Sequence, residues 1–134
     1  MNRAFYNLCR GIYRVFSLVT HPVKVVGAEN IPETGKAILC ANHQSFQDPL
    51  LLATYLKRPM HFMAKKELFQ NKLLAKIMDG LGAYPVARGE NDLTAIRTSF
   101  KLLSEEKMLG IFPEGKRFHD GEMHALQSGV SMIA

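Results

Sequence analysis

The stretch AILCANHQSFQDP, residues 37–49, predicts a strand, a polar loop and the start of a helix. Residues 37–41 form a short, continuous apolar run, which is typical of a strand buried on both faces. The polar residues 42–47 end that run. Asp48 followed by Pro49 predicts a helix start, with the aspartate as N-cap and the proline in the first helical position. A strand that leads through a short loop into a helix indicates an α/β fold.

The same alternation continues along the chain. Further strands are predicted at residues 23–26, 60–64, 83–87 and 108–112. Helices are predicted at residues 48–56, 67–78 and 93–103, the last with Asn91 or Asp92 as its N-cap. Repeated strand–helix–strand units predict a mostly parallel sheet flanked by helices.

The composition is that of one globular domain. Of the 134 residues, 47% are apolar and 22% are charged, and these fractions exclude a disordered tail. No stretch provides the roughly 20 apolar residues that a simple transmembrane helix requires. Cys9 and Cys40 form no CxxC pair, so neither a disulfide framework nor a zinc site is predicted. A reducing, cytosol-facing location is therefore expected.

The positive charge is concentrated near the N-terminus. Residues 1–28 contain four basic residues and no acid, whereas the rest of the chain contains 13 basic and 12 acidic residues. Aromatic and aliphatic residues alternate with the arginines over residues 5–19, which is typical of an amphipathic helix in a membrane interface. In that setting the arginines would extend toward lipid phosphates. We interpret residues 1–22 as such an interfacial segment.

Other interpretations of this segment remain open. One is a helix that packs on the domain. A signal peptide is disfavoured because Arg10 and Arg14 interrupt the apolar run and no small-residue cleavage site follows. Nucleic-acid binding is disfavoured because the body has no basic stripe interleaved with exposed aromatic residues.

Polar clusters follow three of the predicted strands, at residues 42–48, at Arg88 and at residues 114–117. Functional groups of α/β sheets gather outside the carboxyl ends of the strands. We therefore expect the three clusters to converge on one edge of the sheet.

His43 and Asp48 in the first cluster have the spacing of a general base and its orienting carboxylate. The carboxylate can fix one ring nitrogen of the histidine, which leaves the other nitrogen free to accept a proton. The alternatives are that Asp48 is only an N-cap and that His43 is bonded to backbone. Ser45 as a nucleophile is disfavoured because no nucleophile elbow surrounds it.

The third cluster contains two adjacent cations, Lys116 and Arg117, next to Gly115 and after a strand. This composition suits a phosphate, because arginine binds its oxygens in pairs and lysine adds a point charge. The alternative is an ordinary basic turn. Arg88 alone indicates nothing.

Three sequence blocks occur in one order: NHQSFQDP at residues 42–49, GAYPVAR at residues 82–88, and FPEG at residues 112–115 followed by Arg117. Together they resemble the phospholipid/glycerol acyltransferase family, most closely the bacterial 1-acyl-glycerol-3-phosphate (lysophosphatidate) acyltransferases. The similarity runs from about residue 25 to residue 134. It implies a glycerol-3-phosphate acyltransferase-like α/β domain over residues 23–134.

The resemblance also implies a reaction. Acyl-coenzyme A or acyl–acyl-carrier protein would donate a fatty acyl group to the free hydroxyl of a lysophosphatidic acid, giving phosphatidic acid for phospholipid biosynthesis. His43 would remove the hydroxyl proton and Asp48 would orient His43. The acceptor's phosphate would lie at a site formed by Arg88, Glu114, Gly115, Lys116 and Arg117. No metal or cofactor is implied beyond the acyl thioester, and the protein is expected on the cytoplasmic face of the membrane, peripheral or monotopic.

Some positions depart from the family's pattern. Lys116 and Phe118 stand where the family usually has threonine and often has serine, which adds charge and bulk near the predicted phosphate site. Leu126 and Gln127 stand where it commonly has Phe-Lys. The family's fourth block should begin shortly after Ala134, so we expect a domain that is incomplete at its C-terminus, with an exposed sheet edge.

Two alternative functions remain. One is a non-catalytic remnant of the family that binds lipid phosphate. The other is a metal-dependent phosphohydrolase. A metal site of His119 and His124, with His43 as a third ligand, is disfavoured because the spacing of His119 and His124 lacks the helical pattern of strong zinc motifs.

Overall fold

A computed structural model of the protein describes residues 1–87, 92–120, 122, 124–127 and 129–134. The strands are β1 (Ala37–Cys40), β2 (Met60–Lys65), β3 (Ala83–Val86) and β4 (Met108–Ile111). The helices are α1 (Arg3–Thr20), α2 (Asp48–Tyr55), α3 (Lys72–Gly80), α4 (Leu93–Ser104) and α5 (Gly129–Ile133), and short 3₁₀ turns lie at Ala28–Asn30 and Lys66–Phe69. The strands form one parallel sheet in the order β1-β4-β2-β3. The predicted parallel α/β architecture is confirmed.

The position of β4 inside the sheet determines which strand is most buried. All four residues of β4 are buried, because β4 pairs with β1 on one side and with β2 on the other. β1 was expected to be covered on both faces, but it lies at an edge, and its residues are half-buried or, at Cys40, exposed. The strand predicted at residues 37–41 is therefore confirmed, and the prediction that it is buried on both faces is wrong.

Two other local predictions are wrong. Residues 23–26 form no strand, and Val26 is 81% exposed. No strand that the structure describes lies beside this run to pair with it, so its strand propensity is not realised. The helix predicted at residues 67–78 is divided into a 3₁₀ turn and α3. The side chain of Asn71 caps α3 by accepting from the N–H groups of Leu73 and Leu74, at 2.9 and 3.1 Å.

The N-terminus of α4 follows the predicted capping. The Asp92 carboxylate accepts from the N–H groups of Thr94 and Ala95, both at 3.0 Å. Asn91, the alternative cap, lies outside the described residues.

Apolar clusters cover the two faces of the sheet. On the face of α2 the buried members are Leu56, Met60, Phe62 and Met108. On the face of α4 and α5 they are Tyr84, Leu103, Leu109, Ile111 and Ile133. Consecutive residues of β4 alternate between these clusters, as strand geometry requires. β4 therefore joins the two layers of the core.

Gly110 in β4 makes a close approach that no other residue type permits. A Cβ added at this position would overlap the ring of Phe62 on neighbouring β2. We expect Gly110→Ala to lower the free energy of unfolding by about 1–3 kcal/mol through overpacking, as measured by urea denaturation. Gly11→Ala is the matched control, because a Cβ there would meet nothing within 4 Å on a helix. That control should be neutral or slightly stabilising, and equal loss in both variants would contradict the steric explanation.

α1 packs on the rest of the protein through a polar face. The Tyr6 hydroxyl donates to the carbonyl of Ala53 at 3.4 Å, and the Ser17 and Tyr55 hydroxyls are 2.8 Å apart. The Arg10 guanidinium donates to the carbonyls of Thr54 and Leu56, at 2.9 and 2.8 Å. Carbonyls at a helix C-terminus lack partners and carry negative partial charge, so Arg10 stabilises the end of α2. The expectation that the arginines extend toward lipid is wrong for Arg10.

The opposite face of α1 is apolar and exposed. Its exposed residues include Leu8, Ile12, Val15, Phe16, Leu18 and Val19. Among the described residues, no helix is both long and apolar enough to cross a bilayer.

His61 in β2 is a buried histidine with a consequence for stability. Its Nδ1 is 2.9 Å from the carbonyl of Gly82, and its buried Nε2 has no hydrogen-bond partner among the residues that the structure describes. Burial lowers the pKa of His61 below its usual 6.5, although the bond to Gly82 opposes this shift. The unfolded chain therefore binds a proton more readily, so stability falls as pH falls through 6.5, and the loss stops growing below the lowered pKa.

We expect His61→Gln to flatten this dependence. The measurement is the free energy of unfolding between pH 7.5 and pH 5 (an interval of roughly one unit or more on each side of the usual histidine value). Parallel slopes for His61→Gln and the unmodified protein would contradict the assignment.

Candidate active site

The loops that follow β1 and β4 meet at one edge of the sheet. Cys40 lies opposite Ile111 in the parallel pair, so both strands end at the same edge. Beyond the strands, the N–H of Ala41 donates to the carbonyl of Ile111 at 3.1 Å, and the N–H of Phe118 donates to the carbonyl of His43 at 2.9 Å. The structure therefore brings together the first and third predicted clusters.

His43 and Asp48 form a hydrogen-bonded pair at this edge. Nδ1 of His43 is 2.9 Å from Oδ2 of Asp48, and His43 is only 8% exposed. A carboxylate only accepts hydrogen bonds, so the pair places the ring proton on Nδ1 and leaves the Nε2 lone pair free. This is the arrangement of a general base and its orienting group.

The loop itself holds the Asp48 carboxylate in place. Oδ2 of Asp48 also accepts from the N–H groups of Gln44 and Ser45, both at 2.8 Å. α2 begins at Asp48, with Gln47 in the cap position. The expectation that Asp48 is the N-cap is therefore wrong by one residue, since its bonds run back into the loop and to His43.

The Ser45 hydroxyl has a structural role in the same loop. It accepts from the N–H of Gln47 at 3.1 Å. No hydrogen bond joins it to the described atoms of His43.

Two residues of the FPEG block support His43 from the β4 side. The Phe112 ring stacks on the imidazole, with centroids 4.1 Å apart and planes 20° apart. Glu114 is 4% exposed, and its Oε2 accepts from the backbone N–H of His43 at 3.4 Å. Glu114 was expected at the phosphate site, and the structure places its carboxylate against the loop that carries His43. Phe112 was not among the predicted site residues, although it opens the block that carries Glu114.

The predicted phosphate residues lie on the turn that follows. Gly115 has φ +71°, a conformation that favours glycine, and a Cβ there would lie 3.0 Å from the Gln127 side chain. Lys116 and Arg117 are exposed, and Lys116 Nζ lies 4.8 Å from the centroid of the Phe118 ring. Arg88 lies outside the described residues.

A family model described as acyltransferase matches residues 22–134. The chain belongs to the acyltransferase family. The predicted family is thereby confirmed.

Individual acyltransferases are similar over most of this chain. The 1-acyl-sn-glycerol-3-phosphate acyltransferase of Bacillus subtilis is 35% identical over 130 residues, which cover 96% of this chain and 64% of the relative. That of Streptococcus pneumoniae is 29% identical over 137 residues, covering 99% and 50%. The crystal structure of the 1-acyl-sn-glycerophosphate (LPA) acyltransferase PlsC from Thermotoga maritima superposes with a TM-score of 0.78 at 28% identity, covering 96% and 52%. The chain thus spans between half and two thirds of the length of these proteins.

A further pair of cations lies at the same edge of the acyltransferase sheet. Lys65 ends β2 opposite Val86 of β3, and Lys66 begins the 3₁₀ turn that follows. Lys65 Nζ is 3.6 Å from Oε1 of Glu67. These lysines are not among the predicted site residues, although two adjacent cations directly after a strand are the same signal that Lys116 and Arg117 give.

The predicted second histidine cluster, around His124, contains a ring stack and a hydrogen bond. The His124 ring stacks on Phe118 with centroids 3.5 Å apart, and its Nε2 is 2.8 Å from Oδ2 of Asp120. The N–H of Glu122 and the His124 contact lower the pKa of Asp120. Within the described part of the chain, no group of three His, Cys, Asp or Glu side chains could hold a metal ion.

Proposed function

We propose that the protein transfers a fatty acyl group from acyl-coenzyme A or acyl–acyl-carrier protein to the free hydroxyl of 1-acyl-glycerol-3-phosphate, giving phosphatidic acid. The observation that carries this proposal is the His43–Asp48 pair at the edge where β1 and β4 end. The similarity to enzymes named 1-acyl-sn-glycerol-3-phosphate acyltransferase supports the choice of acceptor.

In the proposed mechanism the acceptor hydroxyl is the nucleophile. Nε2 of His43 takes the hydroxyl proton as the oxygen attacks the thioester carbonyl, and Asp48 stabilises the imidazolium that forms. The tetrahedral intermediate then collapses, the carbon–sulfur bond breaks, and His43 returns the proton to the leaving thiolate. No cofactor is proposed besides the acyl thioester.

The acceptor's phosphate is proposed to bind on the turn after β4. Lys116 and Arg117 are exposed there, next to the loop that carries His43. A guanidinium can bind two phosphate oxygens, and an ammonium adds a point charge. The family pattern adds Arg88, with Glu114 and Gly115 shaping the turn.

The protein is proposed to lie on the cytoplasmic face of the cell membrane as a peripheral or monotopic protein. α1 supports this location because its polar face binds α2 and leaves its apolar face outward. A helix of this kind inserts its apolar side into the headgroup region. The lipid acceptor would then reach the active site without leaving the membrane.

The test is acyl transfer by the chain reconstituted with phospholipid. We would supply acyl-coenzyme A or acyl–acyl-carrier protein with lysophosphatidic acid and follow phosphatidic acid, using 1-acylglycerol, which lacks the phosphate, as the control acceptor. Phosphatidic acid formation that depends on the phosphate supports the proposal. Binding of lysophosphatidic acid without turnover would favour the non-catalytic alternative, and phosphate release that a chelator abolishes would favour a phosphohydrolase.

A further inference from the structure

A second exposed apolar surface lies on α3, next to the apolar face of α1. Leu73, in the first turn of α3, is 70% exposed, and Leu74 is 40% exposed. An open groove of ≈ 610 Å³ separates α3 from the start of α1. Its lining includes Met1, Phe5, Leu73, Lys76, Ile77 and Gly80. The apolar surface of α1 therefore continues across this groove onto α3.

Direct contacts fix the two helices relative to each other. The backbone N–H of Asn2 donates to the carbonyl of Gly80 at 3.1 Å. The Phe5 ring lies so close to Gly80 that a Cβ there would be 2.7 Å from the ring. Leu73 and the apolar face of α1 therefore form one continuous surface that a partner can contact.

The charges around Leu73 favour an anionic partner. Lys72 and Lys76 are exposed on α3, and neither has an ion-pair partner within the part of the chain that the structure describes. The groove also contains Asp79. An apolar stripe bordered by lysines fits the headgroup region of an anionic bilayer, where each lysine strengthens binding about fivefold.

The extent of the apolar surface favours a bilayer over an acidic protein. The exposed apolar residues of α1 run from Leu8 to Val19, a length of roughly 17 Å at the helical rise per residue. With Leu73 across the groove, this apolar surface is broad and open, and the binding of an amphipathic helix to a bilayer strengthens with the apolar area that it buries.

We propose that Leu73, flanked by Lys72 and Lys76, is a second contact with an anionic lipid bilayer. This inference rests on the proposed interfacial role of α1. α3 begins just after the carboxyl end of β2, so Leu73 lies toward the sheet edge that carries His43. Contact through both α1 and α3 fixes the orientation of the domain and directs the candidate active site toward the lipid.

The experiment uses the fact that the protein contains no tryptophan. Leu73→Trp introduces a single indole reporter at an exposed position. The probe is vesicles of phosphatidylcholine mixed with phosphatidylglycerol, and the readouts are the blue shift of indole emission and its quenching by brominated lipid. Ile12→Trp reports on the apolar face of α1. Phe100→Trp, 49% exposed in the second half of α4, on the opposite face of the sheet and away from the edge that carries His43, is the matched control.

The expected result is a blue shift and quenching for Leu73→Trp and Ile12→Trp, and neither for Phe100→Trp. Insertion of Ile12→Trp alone would overturn this inference and leave the interfacial role of α1 intact. Insertion at neither position would overturn both. A shift of Leu73→Trp with acyl-carrier protein but not with vesicles would assign the surface to an acidic protein.

The lysines give an independent measurement. Lys72→Gln and Lys76→Gln are each expected to weaken binding to the anionic vesicles about fivefold. Lys101→Gln, at an exposed lysine of α4, should have no effect. Equal weakening by all three variants would indicate general electrostatic attraction and would overturn the assignment to α3.

Discussion

His43→Ala is expected to lower kcat for acyl transfer by about 10²–10⁴-fold, the contribution typical of a positioned general base. The loss follows because Nε2 of His43 is the proton acceptor that the Asp48 contact leaves free. The measurement is phosphatidic acid formation by the lipid-reconstituted chain. Added imidazole should restore part of the activity if the variant lacks only the base.

His124→Ala is the matched control for this substitution. His124 also pairs with an aspartate, at 2.8 Å from Asp120, but outside the loop that joins β1 to α2. The control should retain activity within a few fold, and circular dichroism should show that both variants fold. Activity of His43→Ala within about tenfold of the unmodified protein would exclude base catalysis of this size.

Asp48→Asn is expected to lower kcat by a similar factor, about 10²–10⁴-fold, while the loop keeps its structure. The asparagine oxygen can still accept from the N–H groups of Gln44 and Ser45. Because the same oxygen position also accepts from Nδ1 of His43 in this loop, the amide leaves the ring proton on Nδ1. What the substitution removes is the negative charge that stabilises the imidazolium during proton transfer.

The split between kcat and KM tests this explanation. A positioning role predicts a lower kcat with an unchanged KM for lysophosphatidic acid, and Asp120→Asn should change neither. A raised KM at constant kcat would mean that Asp48 contacts the acceptor and does not orient His43.

The His43–Asp48 contact was predictable from sequence because the two residues are close in the chain. His43 and Asp48 are separated by five residues, and strand, loop and helix signals on either side limit the geometry of that loop. The same holds for Asp92, which caps the helix that follows it.

The support around the pair was not predictable because its contacts are distant in sequence. Glu114 reaches the backbone of His43 across 71 residues, and the pattern indicated only that both lie at one sheet edge. Arg10 binds carbonyls 44 to 47 residues away, and nothing local distinguishes it from an arginine that faces lipid.

The order of the strands in the sheet was likewise not predictable from the local sequence pattern. The run at residues 37–41 has the composition of a central strand, yet pairing with β4 alone leaves β1 at the edge among the described strands. Residues 23–26 have the composition of a strand, but no described strand lies beside them, so they remain outside the sheet.

The pairing of β1 with β4 also sets an order of events during synthesis. Among the strands that the structure describes, β1 is the first to be made and its partner is the last, 71 residues later by the Ala37–Met108 register. At about 5–20 residues per second, translation leaves the hydrogen-bonding groups of β1 unpaired for about 4–14 s. The loop with His43 and Asp48 can close early, but Phe112 and Glu114 reach it only when β4 is inserted. Substitutions in β4 should therefore slow the folding of the nascent chain more than those in β3.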